Sequence, residues 1–184
     1  MNATLAFLDE SGFMLQPLVR RTWAPRGQTP ILRCWDRRDR LSVIGAITVP
    51  PERQHHRLGA VFRIHSRNIK TEQGLAFLRV LDRHIRGPLI IVQDRLNVHK
   101  AATRRWLATR PPKAPPVRVE WLPACAPDLN PVEQLWNRGK RVDLANLAPC
   151  DGQDLHGHVR RSLIRQRCRP SLLASAFHHA GLAL

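Results

Sequence analysis

The period of the apolar pattern changes near residue 71, and this change limits the available folds more than any other feature of the chain. Before it the sequence reads as short strands. Residues 3 to 8 form a buried strand that runs up to Asp9, "LVRRTWAP" (18 to 25) a second before a turn around Gly27, and "RLSVIGAITV" (40 to 49) the clearest third. Pro50 and Pro51 end that strand, and "GAVFRIHS" (59 to 66) alternates as a further one with Phe62 and Ile64 on one face. Such a run is an antiparallel meander. After residue 71, helix alternates with strand. "TEQGLAFLRVLDRHI" places Leu75, Leu78, Leu81 and Ile85 at helical spacing behind Thr71 as a cap, and Gly87 with Pro88 stops it. "LIIVQ" (89 to 93) is then a buried strand, 98 to 109 a basic helix, "PPKAPP" a stiff connector and "VRVEWL" (117 to 122) the last strand. A helix at Asn130, a longer one through "QDLHGHVRRSLIRQ" and a short one from Ser171 complete the chain.

Strands followed by two right-handed crossovers give an α/β fold: a mixed sheet with helices on both faces, in a single domain over residues 1–184. If the first strand lies beside "LIIVQ" and parallel to it, Asp9 and Asp94 emerge side by side just past their strand ends. Ligands of open α/β sheets collect at that edge.

Lys and Arg number 30 against 14 Asp and Glu, a net charge of +16 that points to a polyanionic partner, most often nucleic acid. There is no tyrosine, which excludes strand chemistry through a covalent phosphotyrosine. The start "MNATLAFLDESGF" lacks a signal-peptide pattern, and no apolar run is long enough to span a bilayer, so a cytoplasmic protein without a membrane role is expected. Cys34, Cys125, Cys150 and Cys168 show no zinc spacing and read as small hydrophobes.

In "PDLNPVEQLW" (127 to 136), Asn130 suits the N-cap, Pro131 the first helical position and Glu133 the third. Alone, this stretch makes Glu133 a capping residue, just as Asp9 and Asp94 alone could be turn formers. Together in a strongly basic chain they admit another reading. Paired carboxylates can hold Mg²⁺, and three can hold two ions roughly 3.5 to 4 Å apart for in-line phosphoryl transfer without a covalent nucleophile.

Several motifs carry a resemblance along almost the whole chain: "LDESGF" (8 to 13), "RRTWAPRGQTP" (20 to 30), "LSVIGAI" (41 to 47), "IIVQDRLNVH" (90 to 99), "LPACAPDLNPVEQLW" (122 to 136) and "HHAGLAL" at the end. In this order they resemble the DDE transposases of bacterial insertion sequences, in the mariner-related branch. The resemblance implies a ribonuclease H-like mixed five-stranded sheet, with Asp9, Asp94 and Glu133 as a catalytic triad that ligates two Mg²⁺ ions, replaceable by Mn²⁺. It implies double-stranded DNA as partner, element ends and target alike, with strand cleavage and strand transfer at the element ends. The first strand leaves no room for a helix-turn-helix, so an upstream polypeptide is expected to supply one, and a homo-oligomer is expected on DNA. The alternatives are a catalytically inactive DNA-binding remnant and a ribonuclease H-like nuclease of other substrates.

This chain departs from the family pattern at Cys125 and Ala126, at Arg95, and at Gly139, where a helix former would stiffen the glutamate helix. His99 reads as a helix-start or phosphate-contact residue rather than a base. The pairs His55 with His56 and His178 with His179 read as surface residues, and Asp36, Asp39, Asp143, Asp151 and Asp154 as loop or helix-start residues. Trp23, Trp35, Trp121 and Trp136 read as core, with Trp23 open to a base-stacking role. Glu10 faces away from Asp9 if the strand continues. Arg20, Arg21 and Arg26 are candidates for DNA contact or for a solvated face.

Overall fold

The computed structural model describes residues 2–34, 39–51, 57–124 and 126–183. Five strands form one sheet: β1 (Thr4–Met14), β2 (Arg40–Val49), β3 (Gly59–His65), β4 (Leu89–Gln93) and β5 (Val117–Trp121), in the order β3-β2-β1-β4-β5. β1 and β3 both pair antiparallel with β2, whereas β4 lies parallel to β1, and β5 to β4. The meander and the crossovers thus meet on β1, as the change of period requires.

Two expectations for the first strands need correction. β1 does not end before Asp9; it continues to Met14, because the long partner β2 goes on pairing with it, Phe13 against Leu41 and Met14 against Arg40. Residues 18 to 25 form no strand. The Leu18 backbone bridges Ala145, and the Arg20 N–H donates to Asn146 Oδ1 at 2.7 Å, so this segment spends its backbone groups on a distant loop rather than on the sheet. Trp23, 99% exposed, is not core.

Helices α1 (Thr71–His84) and α2 (Asn97–Thr109) cover one face, burying Phe77, Leu78, Leu81 and Trp106 against Ala6, Leu8, Ile44 and Ile91. Lys70, not Thr71, is the N-cap of α1: its N–H donates to Gln73 Oε1, 3.0 Å away. On the other face α3 (Pro131–Arg138), α4 (Gly152–Arg167) and α5 (Pro170–His179) bury Trp136, Val159 and Phe177 against Phe7, Phe13, Val43 and Ile47. The alternation of β1 explains the division, since Phe7 and Phe13 point to one side while Ala6 and Leu8 point to the other. Cys34, Cys150 and Cys168 are exposed, in a loop or at the ends of α4. Among the described residues no helix is long and apolar enough to cross a membrane.

Candidate active site

The register of the sheet brings the two aspartates level. β1 and β4 pair in parallel from Thr4 opposite Leu89 to Phe7 opposite Val92, and the same register two residues further on sets Asp9 beside Asp94. Asp94 lies just beyond β4, as expected, whereas Asp9 sits within β1 at the point where its parallel pairing stops.

Asp9 is buried, and its Oδ2 accepts a hydrogen bond of 3.0 Å from Trp136 Nε1 of α3. Gly45, the β2 partner of Asp9, makes room for that indole: a Cβ at this position would stand 2.8 Å from Trp136 Cη2. The glycine of "LSVIGAI" is therefore a packing requirement of the site.

Asp94 is fixed from the opposite face of the sheet. Its Oδ1 accepts from the Leu96 N–H at 3.1 Å and lies 2.5 Å from His99 Nδ1. Burial opposes the charge on Asp94, but the hydrogen bond and charge of His99 and the Leu96 N–H together hold its pKa below the usual value. Burial likewise disfavours protonated His99, yet Asp94, Glu10 and Asp9 outweigh it and raise the imidazole pKa. His99 belongs to the first turn of α2, as read, but it is buried and cannot contact phosphate; it orients Asp94 instead. Glu10 does face away from Asp9, and its carboxylate comes within 3.9 Å of His99 Nε2.

Glu133 arrives on the first turn of α3. Asn130 caps this helix, its Oδ1 accepting from the Val132 N–H at 3.3 Å while its Nδ2 donates to the Leu8 carbonyl at 3.1 Å. One buried side chain thus starts the helix and ties it to β1 beside Asp9. The reciprocal half of a capping box would have the Glu133 carboxylate accept from the Asn130 N–H. That N–H already donates to the Pro127 carbonyl at 2.8 Å, within the 3₁₀ turn Pro127–Leu129. Glu133 is left to line a cleft.

Asp9, Asp94 and Glu133 all line that cleft, about 280 Å³ in volume, together with Arg95, Leu96, Leu122, Pro123 and Asn130. Desolvation, then the Glu133 charge, raises Asp9 to a pKa of about 7, with a smaller push from Asp94. Carboxylates that repel in this way offer hard oxygen donors whose charge a divalent cation such as Mg²⁺ or Mn²⁺ relieves, so the residues fit such ions. Asp9 and Asp94 are each held through one oxygen, as ligand carboxylates are when outer hydrogen bonds orient them. Among the described residues no three acidic, histidine or cysteine side chains are grouped closely enough to hold a metal ion as they stand.

Lys140 escaped the sequence reading. After Gly139 the helix widens into a π turn, Gly139–Asp143, which carries Lys140 back to β1, where its Nζ donates to Ser11 Oγ at 2.7 Å. Burial lowers its pKa, while Glu133 and Asp9 act in the opposite sense. Gly139 packs against the core: a Cβ there would stand 3.3 Å from the Phe13 ring, a tight contact. The other candidates lie elsewhere. Asp143 is half-buried at the end of the π turn, its shielded carboxylate accepting from Ser162 Oγ at 2.6 Å; Asp151 and Asp154 cap α4, and His178 and His179 are exposed. Trp121 is half-buried and Trp136 is core, whereas Trp35, Asp36, His55, His56 and Cys125 lie outside the described residues.

Comparison with curated proteins gives no match. Among solved structures, the Mos1 strand transfer complex aligns with a TM-score of 0.65 at 16% identity, over 96% of this chain and 51% of that one. The Mos1 mariner paired end complex with Mn gives a TM-score of 0.66 at 15% identity, over 96% of this chain and 52% of that one. For the Mos1 paired end complex with Mg the values are 0.62 and 14%, over 96% and 53%. The chain thus spans about half the length of these relatives, and the likeness is one of fold, a ribonuclease H-like sheet with helices on both faces. Residues 4–152 match the family described as DDE superfamily endonuclease, most of the chain and all three cleft carboxylates included. The chain belongs to the DDE superfamily endonucleases.

Proposed function

We propose that this chain is the catalytic domain of a transposase, a single domain that cleaves DNA strands at the ends of a mobile element and transfers them to target DNA in the cytoplasm. Asp9, Asp94 and Glu133 are its catalytic residues and hold two divalent ions, Mg²⁺ or Mn²⁺. The observation that carries this reading is the convergence of three carboxylates from β1, the end of β4 and α3 on one cleft of a chain with net charge +16. Solved structures of the same fold, named as Mos1 complexes with Mn, with Mg and in a strand transfer state, support it.

When bound, the ions would activate the attacking water or 3′-hydroxyl and stabilise the departing oxygen. The protein's part is positioning. Trp136 and His99 fix the two aspartates, Asn130 sets α3 against β1, and the Glu133 side chain completes the site from its first turn. End recognition belongs to a helix-turn-helix module, assigned to a separate upstream polypeptide, and the assembly on DNA is a homo-oligomer.

Nicking of a supercoiled plasmid tests the chemistry without knowledge of the element ends. Glu133→Gln should fold normally, since no cap depends on the carboxylate, and should lose about a thousandfold in rate, equivalent to ~4 kcal/mol of transition-state stabilisation. Mn²⁺ should raise the melting temperature of the native chain and much less that of the variant. Near-native nicking by a folded Glu133→Gln protein would remove the assignment.

A further inference from the structure

A basic groove runs on from the cleft. It is lined by Arg95, Lys100, Thr103, Arg104, Leu107 and Trp121, with a volume of about 530 Å³. Lys100, Thr103, Arg104 and Leu107 follow the i, i+3, i+4, i+7 spacing, so they form one stripe along α2. Groove and cleft share a wall: Arg95 lines both, and Trp121 in the groove is followed directly by Leu122 in the cleft. Thr103 is buried and accepts from Gln93 Nε2 at 2.7 Å, which fixes the stripe to the end of β4 one residue before Asp94.

Charge separates this stripe from the rest of α2 and its end. Arg105 pairs with Glu72 and Arg110 with Asp82, both acids of α1. Among the described residues Arg95, Lys100 and Arg104 stand in no ion pair, although all three are exposed. Cations kept unpaired along a continuous groove, with an aromatic edge and an apolar side chain between them, match a nucleic-acid backbone with its sugars and bases. We propose that DNA leaving the cleft runs along this α2 groove, its phosphates held by Arg95, Lys100 and Arg104. The proposal rests on the reading of the cleft as a DNA-cleaving site and adds the direction in which the substrate lies.

The test compares two double variants that remove equal charge. Lys100→Gln with Arg104→Gln changes the groove, while Arg160→Gln with Arg161→Gln changes exposed residues of α4 on the opposite face of the sheet. Affinity for a random-sequence DNA duplex is measured in metal-free buffer across a salt series. Each lost phosphate contact removes about 0.9 from the slope of log K against log salt, so the groove variant should be shallower by about 1.8 and bind roughly tenfold or more weakly at 0.1 M salt. The α4 variant should keep the native slope within about 0.5. Equal losses in the two variants, or a native slope in the groove variant, would overturn the groove while leaving the cleft assignment standing. Absence of DNA binding by the native chain would overturn both.

Discussion

Asp9→Asn should stabilise this protein while destroying its proposed chemistry. Burial and the Glu133 charge lift the Asp9 pKa from 3.8 to about 7. An acid whose folded pKa lies above its unfolded value favours folding when protonated. Its contribution is fully present below about pH 4 and is lost as pH rises through about 7. At pH 8 the ionised carboxylate therefore opposes folding, by up to about 4 kcal/mol at 1.36 kcal/mol per pKa unit and less where Glu133 shares the proton. Asparagine keeps the size of the side chain and an oxygen to accept from Trp136 Nε1, but carries no charge. In chelator at pH 8 the variant should exceed the native chain by about 2 to 4 kcal/mol, or several degrees in melting temperature, and the gain should vanish near pH 4. Melts at pH 4, 6 and 8 measure this directly. A divalent ion at a thousand times its Kd should cancel or reverse the order, adding about 4.1 kcal/mol to the native chain. A variant less stable than native at pH 8 in chelator, or a difference that ignores pH, would refute the electrostatic account of the cleft.

Two further substitutions probe how the site is held. Gly45→Ala pushes a methyl group into Trp136 and should cost about 1 to 3 kcal/mol, with loss of nicking beyond that of an equally destabilising change elsewhere in the core; adding Trp136→Phe should recover stability but not activity. Asn130→Ala removes both the α3 cap and the bond to the Leu8 carbonyl, for about 2 kcal/mol in chemical denaturation, whereas Asn130→Ser keeps the cap oxygen and should recover about half of that.

The legible parts of this chain depend on local signals. β4 ending just before Asp94, the apolar spacing of α1 and the Asn-Pro start of α3 are each set by residues within a few positions, and the structure forms all three. What was not legible depends on distant partners. Alternation in 18 to 25 imitates a strand, but its backbone is engaged by Ala145 and Asn146. His99 has the composition of a surface helix start, and only the docking of α2 beside Glu10 and Asp94 buries it. Gly45 and Trp136 carry no mutual signal across the intervening chain, although the sheet sets one against the other. Gly139 reads as a weakness of α3 until Phe13 is seen against it.

Under the proposed assignment of Glu133, a capping motif and a catalytic one share a sequence. A helix N-terminus needs a side-chain acceptor at the cap, proline at the next position relieves an unpaired donor, and an acidic residue in the first turn suits the helix dipole. The same arrangement delivers a carboxylate at a defined height on a rigid element, as a ligand site also requires. Only the donor at the cap decides between the two uses. If the Asn130 N–H were free, the Glu133 carboxylate would fold back onto it and leave the cleft. The turn Pro127–Leu129 takes that N–H with the Pro127 carbonyl, and the Asn130 side chain is spent on Val132 and Leu8. The run "PDLNP" ahead of the glutamate is thus what keeps its carboxylate out of the helix cap and at the cleft beside Asp9.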